Sequence, residues 1–428
     1  MKIALVNVYP GGNIGDNATI MAAIDLLRAA YPDAAISLHT RSNVRGVQSH
    51  PEAFPARQGK QLFPGLLPTY ELNSKQRHIS FVVQAIYCLR YSILLLLCRL
   101  LGLKAGFILR NRLEREALKD IASADLVIQT GFVFSNSNMQ GDLRSAINLF
   151  TVLYPSFLVG IFRRRMVMLG ISIGPLSGRL TKWVTRRIFK SVSRIFVRES
   201  VGYKYLVDAG VDEKKIAVIP DLAFSLKEEE HSTIKHELTD SEGCARIAVA
   251  LSRPPLSVEP GRYYQHIAAL LDYIIETKNA RIFMVSHSKD TADQSDTVME
   301  IPKLLQMIKR KDRLTVLPYS SSPYYLKAIY PAMDLVIAAR IHSIVLSHPT
   351  PLVVLPTVKI YRFLEVLKVL GLSDYCVDDV FNLDKMKRVV DQAWAERSHI
   401  RSHREQVMRE MSKEFEQLVE ELKAIAQR

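Results

Sequence analysis

Twice along this chain a series of short apolar runs alternates with helix-length segments, and this double alternation constrains the fold more than any other feature. The first series predicts strands at Ile3–Val8, Ala35–Leu38, Leu126–Gln129, Met166–Ile173, Ile195–Arg198 and Ile216–Ile219. Helices are expected between them at Asn17–Ala30, at the basic amphipathic Arg179–Val192 and around Gly202–Ala209. The second series predicts strands at Arg246–Leu251, Arg281–Ser286, Leu314–Leu317, Leu335–Ala338 and Leu352–Leu355. Its helices are expected at Tyr263–Thr277, Thr297–Lys309, Tyr324–Tyr330 and from His342 onward. Strands that alternate with helices build βαβ units and hence parallel sheets. Between the two series, Lys227–Gly243 is polar, carries Glu228-Glu229-Glu230 and shows no periodicity, as a linker would. The expected fold class is therefore α/β, with two Rossmann-like doubly wound domains facing a cleft. The expected boundaries are an N-terminal domain over 1–226, a linker over 227–243, a C-terminal domain over 244–382 and a charged helical segment over 383–428. The length of 428 residues fits two or three domains of ordinary size.

The net charge of +14 is concentrated in the first half. Met1 to Glu213 holds 27 Lys and Arg against 14 Asp and Glu, which leaves 30 against 29 for the remainder. Such asymmetry points to an anionic surface or partner. No zinc-finger spacing and no basic repeat interleaved with aromatics is present, so nucleic acid is not the expected partner. The same half contains the apolar stretch Ile79–Leu103, interrupted by Arg90 and Arg99. A charge at the bilayer centre costs several kcal/mol, so this stretch reads as an interfacial helix on an anionic membrane, or as a core helix, rather than as a span. Leu149–Phe162, followed by Arg163-Arg164-Arg165, repeats the pattern and reads more readily as core. Four dispersed cysteines (Cys88, Cys98, Cys244, Cys376) form no paired spacing, which fits a reducing compartment. The N-terminus is strand-like and lacks the zones of a signal peptide, so the expected location is cytoplasmic, with peripheral contact at the inner membrane face.

In open α/β sheets ligands lie at the carboxyl ends of the strands, so polar residues there are the site candidates. The run Asp334-Leu-Val-Ile-Ala-Ala stops at Arg340-Ile341-His342. Arginine is a permanent forked donor suited to carboxylate or phosphate, and histidine hands over a proton near neutral pH. Equally, Arg340 pairs with a nearby carboxylate and His342 caps the next helix. The first strand runs into Gly11-Gly12-Asn13-Ile14-Gly15-Asp16-Asn17 and a helix. Glycines admit close backbone approach, and helix-start N–H groups attract anions. Gly12, Asn13 and Gly15 are thus candidate loop or acceptor-binding residues. Asp16 serves either as an N-cap or as a base for a sugar hydroxyl. Gly170-Ile-Ser-Ile-Gly174-Pro175 ends another strand in a glycine turn. Arg198, in Val197-Arg198-Glu199-Ser200, either binds an anion or pairs with Glu199. Arg253 and Lys359 follow two further strands. No pattern supports a catalytic metal.

The order of these pieces resembles the polysaccharide pyruvyl transferase family, especially its bacterial exopolysaccharide members of the colanic-acid type. The resemblance rests on Gly12-Asn13-Ile14-Gly15-Asp16, Gly170–Pro175, Val197-Arg198-Glu199-Ser200, Pro220-Asp221, Arg340-Ile341-His342-Ser343, and Lys359 ahead of Leu370-Gly371-Leu372. It implies a GT-B-like pair of Rossmann-like domains, phosphoenolpyruvate as donor and a sugar hydroxyl pair as acceptor; the basic, apolar first half suggests that this acceptor is a lipid-linked repeat unit met at the inner membrane face. It also implies that Arg198, Arg340 and His342, with Arg253, surround the donor. No cofactor is expected, phosphoenolpyruvate being a co-substrate. His342 is then the expected acid and Asp16 the acceptor-side base. The sequence departs from the family at Gln129-Thr130-Gly131-Phe132, at Pro349-Thr350-Pro351 and at Pro356-Thr357, which bears on acceptor choice. Two other readings stay open: a nucleotide-sugar-dependent glycosyltransferase of the same architecture, and an inactive membrane-associated scaffold of polysaccharide assembly.

Overall fold

In the computed structural model, the strands of the described residues form two sheets in which every neighbouring pair runs parallel. The structure describes residues 1–8, 13–40, 62–65, 111–133, 141–227, 243–254, 259–288, 297–357 and 360–427, with residue 238 and a few positions in 86–97. Most of the apolar stretch 79–103, together with Gly12 and Lys359, lies outside the described residues.

The first sheet comprises β1 (Lys2–Val8), β2 (Ala35–Thr40), β3 (Leu62–Phe63), β4 (Leu126–Val133), β5 (Arg165–Ile173), β6 (Arg194–Val197) and β7 (Ile216–Val218), in the order β3-β2-β1-β4-β5-β6-β7. The second comprises β8 (Ala245–Ala250), β9 (Ala280–Met284), β10 (Leu314–Val316), β11 (Leu335–Ala338) and β12 (Leu352–Val354), in the order β10-β9-β8-β11-β12. Each sheet grows outward from its first strand, then returns to that strand's other side. This is the doubly wound order, with a topological switch point between β1 and β4 and another between β8 and β11. The strands read as continuous apolar runs because helices cover both faces. β5, for example, is buried from Met166 through Ile173.

The helices of the first unit are α1 (Ile14–Ala30), α2 (Arg112–Ser123), α3 (Asp142–Val152), α4 (Tyr154–Phe162), α5 (Arg179–Phe189) and α6 (Ser200–Asp208). Leu149–Phe162 is thus split between two helices that bend by 60° around Leu153. Leu149, Leu153, Tyr154, Leu158 and Val159 are buried, so this segment is core. Among the described residues no single helix is long and apolar enough to cross a membrane. Asn111 caps α2 by accepting from Leu113 N–H at 2.8 Å. That helix buries a carboxylate, Asp120. Ser37 Oγ donates to it at 2.5 Å, His39 Nε2 lies at 2.8 Å, and Lys2 Nζ lies 2.8 Å from its other oxygen. Burial alone would raise the Asp120 carboxyl, but hydrogen bonds from His39, Lys2 and Ser37 hold it far below the usual carboxylate range. Burial also keeps His39 neutral, its pKa lowered against the pull of Asp120.

The second unit contributes α7 (Pro260–Lys278), α8 (Thr297–Leu305), α9 (Pro323–Ile329), α10 (Ile341–Leu346), α11 (Ile360–Val369), α12 (Leu383–Ala395) and most of α13 (Arg397–Gln427). The compact units are Met1–Gly11, Thr19–Leu222 and Glu416–Arg428 for the first, and Gly12–Ala18 with Ala223–Phe415 for the second. This division differs from the expected boundaries in two places. The start of α1 belongs with the second sheet, and the C-terminal helical segment is shared between the units rather than separate. In the first unit, Arg165 Nη1 donates to Ile425 O and Arg194 Nε meets Glu421 Oε1, each at 2.5 Å.

Candidate functional site

The second sheet places its polar residues at the switch point, where β8 and β11 diverge. After β11 the chain passes Ala339 and reaches Arg340, whose extended backbone (φ −131°, ψ 144°) occupies the N-cap position of α10. The Arg340 side chain reaches back across the switch point, and its Nε donates to Leu251 O, just past β8, at 3.3 Å. The Ser343 N–H and hydroxyl both donate to Arg340 O, at 3.1 and 2.5 Å, and fix the Arg340–Ser343 turn. His342 therefore lies inside the first turn of α10 rather than capping it, and it is half-buried. The half-buried Arg253 follows β8. Beside it, Ser252 takes hydrogen bonds at 3.3 Å from Tyr263 Oη and from Thr357 Oγ1 beyond β12.

The start of α1 docks on these strand ends. Asn13 forms an antiparallel bridge with Ser288, and Ile14 N–H donates to His287 O at 3.0 Å. Asn17 Nδ2 donates to Ser321 O at 2.9 Å. Asn13, not Asp16, caps the helix: its Oδ1 accepts from Gly15 N–H at 2.9 Å. Asp16 sits in the first turn, half-buried. Gly15 lies directly against the His342 imidazole. A Cβ there would stand 2.7 Å from Cε1 and closer still to Nδ1 and Cγ. A larger residue there would force the His342 ring to move.

His287, at the end of the β9 segment, is fully buried, and its Nε2 lies 2.5 Å from Tyr330 Oη. Burial, followed by the positive charges of Arg340 and His342, drives its pKa well below the usual imidazole value. It is thus a neutral ring within electrostatic reach of both groups. Behind α10, the fully buried Arg404 of α13 donates from Nη2 to Ile344 O at 2.8 Å and from Nη1 to Ser347 Oγ at 3.3 Å, and it also bonds Thr350 O. It ties down the helix that carries His342.

Asn13, Gly15, Asp16, Arg253, Arg340 and His342 therefore share one unit, and Gly15 touches His342 directly. Arg198 and Gly174 belong to the other unit. There Arg198 follows β6, buried between two carboxylates: Nη1 donates to Asp221 Oδ2 at 2.8 Å, and Nε lies 3.5 Å from Glu199 Oε1. Ser172 Oγ donates to Glu199 at 2.5 Å. Gly174 has φ +116°, and a Cβ on it would overlap the Tyr205 ring, so its glycine serves packing against α6. His287 and Tyr330 escaped the sequence reading. The strand-end rule that selected Arg340 would have flagged His287 too, because Ser286-His287-Ser288 stops an apolar strand in the same way. Among the described residues no cluster of His, Cys, Asp and Glu is arranged to hold a metal ion.

A family model, Polysaccharide pyruvyl transferase, matches residues 13–348, which spans the α1 start, the Arg198 turn and Arg340–His342. The chain is similar to the amylovoran biosynthesis protein AmsJ of Erwinia amylovora, at 23% identity over 389 residues and 88% of each chain. Among solved structures, a UDP-GlcNAc 2-epimerase from Methanocaldococcus jannaschii matches with TM-score 0.54 at 10% identity, over 92% of this chain and 93% of that one. A ugt transferase from Siraitia grosvenorii, in complex with UDP, matches with TM-score 0.54 at 10% identity, over 98% and 99% of the two chains. At such identities these structures speak to the fold alone, which is the α/β class expected from the double alternation, of the GT-B-like type that the resemblance implies.

Proposed function

Since the chain belongs to the polysaccharide pyruvyl transferase family, we propose that it moves the pyruvyl group of phosphoenolpyruvate onto a saccharide of an exopolysaccharide repeat unit, forming a cyclic ketal. The observation that carries this reading is the setting of His342. An imidazole is packed on Gly15, two residues from a guanidinium that spans the switch point of the sheet.

In this reading Arg340, with Arg253 and Lys359, holds the carboxylate and phosphate of the donor, and a bidentate charge-assisted pair also fixes orientation. His342 as imidazolium protonates the methylene carbon, which makes C2 electrophilic. One sugar hydroxyl oxygen bonds to C2, the bond from C2 to the phosphate oxygen breaks, and a neighbouring hydroxyl closes the ring. Of the two hydroxyl protons released, one restores His342, and the other is taken by Asp16 and leaves with phosphate. Neutral His287 adds no competing positive charge that would oppose protonation of His342.

The assay is phosphate release from phosphoenolpyruvate in the presence of lipid-linked repeat unit, followed by mass spectrometry of the acceptor. Gain of one pyruvyl unit is the expected result. Release of a nucleoside diphosphate from a nucleotide sugar, without any pyruvyl gain, would overturn the reading in favour of glycosyl transfer.

We place the acceptor at the cytoplasmic face of the membrane. The basic excess of the first half supports this, as does the exposure of the helical Ile86, Leu89, Ile93, Leu96 and Leu97 within 79–103. Pelleting with anionic liposomes that weakens as salt rises is the expected behaviour.

A further inference from the structure

We infer that helices α3 and α5 of the first unit form a second, preassembled surface for the headgroup layer of an anionic membrane, centred on Trp183. The inference rests on the membrane side of the proposed function, not on its chemistry. From Leu143 to Arg198 the chain runs through 56 residues with 11 Lys and Arg and no Asp or Glu. Much of that charge falls on one helix face. On α5 and its C-cap, Arg179, Trp183, Arg186, Arg187 and Lys190 recur at intervals of three and four, which puts them on a common side. All five are exposed, while Thr181, Thr185, Ile188 and Phe189 point into the core.

The apolar part of the surface is as unusual as the charge. Trp183 is 62% exposed, Leu180 45% and, on the neighbouring α3, Leu143 62%. An exposed indole among arginines suits a membrane–water interface, where the ring sits at headgroup depth and the cations meet phosphates. The surface is also held rigid. The Asp142 carboxylate accepts from Leu180 N–H at 2.8 Å, from Thr181 N–H at 3.0 Å and from Thr181 Oγ1 at 2.8 Å, so the start of α3 caps the start of α5. Gly178 permits this, because a Cβ there would overlap Asp142. The one acidic side chain at the start of α3 is thereby turned onto α5 rather than outward. At the far end, Lys215 Nζ donates to Lys190 O and Val192 O at 3.0 Å, which adds a cation beside Lys190. Glu213, nearby in sequence, is engaged by Tyr203 Oη.

The chain has two tryptophans, so Trp394→Phe leaves Trp183 as the sole indole probe. The full-length Trp394→Phe protein is mixed with vesicles of phosphatidylcholine, with or without phosphatidylglycerol. Binding to the anionic vesicles only, a blue shift of Trp183 emission and its quenching by brominated acyl chains are expected. Arg186→Glu/Arg187→Glu should weaken partitioning by about tenfold or more, and Trp183→Ser should abolish the apolar part of the binding. Both variants lie on an exposed face and should fold, the double reversal with a melting temperature lowered by a few degrees because two carboxylates then sit in the last turn of α5. The inference fails if anionic vesicles are not bound, even if an acidic protein is. It fails equally if they are bound while Trp183 stays unquenched and the double reversal has no effect, which would assign contact to 79–103. Neither failure touches pyruvyl transfer to a soluble acceptor, which is measured in parallel.

Discussion

Replacing Gly15 by alanine tests the contact on which the proposed chemistry depends. An added Cβ would stand 2.7 Å from His342 Cε1 and closer to Nδ1 and Cγ. Ordinary contact lies at about 3.5–4 Å, so the ring must retreat by roughly 1 Å at Cε1 and by more at the nearer atoms. A displacement of about 1 Å at a reacting group costs on the order of 10²-fold in rate, which is about 2.7 kcal/mol of transition-state stabilisation. Stability moves less. Gly15 lies in the first turn of α1 without a positive φ, where alanine gains up to about 1 kcal/mol. Overpacking takes back about 1–3 kcal/mol. The variant should therefore fold, with a modestly lower melting temperature, while phosphate release from phosphoenolpyruvate falls about a hundredfold. The decisive control is the His342→Ala background, where the imidazole is gone. There Gly15→Ala should cost no further activity and should slightly raise the melting temperature. Turnover of Gly15→Ala within about threefold of wild type, or full additivity of the two losses, would refute the argument.

His342→Ala alone should lower kcat by about 10²–10⁴-fold in the same phosphate-release assay, since that is the usual worth of a general acid. Arg340→Lys should raise the donor KM by about tenfold with a smaller change in kcat, because an ammonium cannot reproduce the guanidinium fork; an unchanged KM counts against the clamp. Stability should fall on acidification in two stages. Below about pH 6.5 the unfolded chain protonates His39 while the fold, which lowers that pKa, does not. The contribution of Asp120, whose carboxyl is depressed, is complete above about pH 4 and drains away below it. Asp120→Asn should cost on the order of 3 kcal/mol at neutral pH and flatten the acid limb of a calorimetric pH series; an identical limb in the variant speaks against the buried network.

The alternation of apolar runs with helical segments was sufficient to specify two parallel doubly wound sheets, because a strand covered on both faces must be apolar throughout. β11 falls where the run Leu335–Ala338 predicts it, and β8, β9, β10 and β12 lie within a residue or two of their predicted limits. β3 is only two residues long and α2 carries several charges, so neither stands out from composition. Arg340 and His342 were legible because a polar pair that stops an apolar strand sits where the sheet opens to ligands. Other features depended on tertiary structure. Long-range hydrogen bonds, not local pattern, bring the start of α1 onto Ser288, His287 and Ser321, so that Gly15 lies on His342. Whether Arg198 faced a ligand or a carboxylate was likewise undecided by its neighbours in sequence: its Nη1 donates to Asp221, 23 residues away, at 2.8 Å. The same holds for Arg404, 57 residues beyond Ser347, buried against the end of α10. Local sequence fixes which face of a strand or helix is apolar. Which charged groups meet is set by how the chain crosses over, and those pairings are decided only once it has packed.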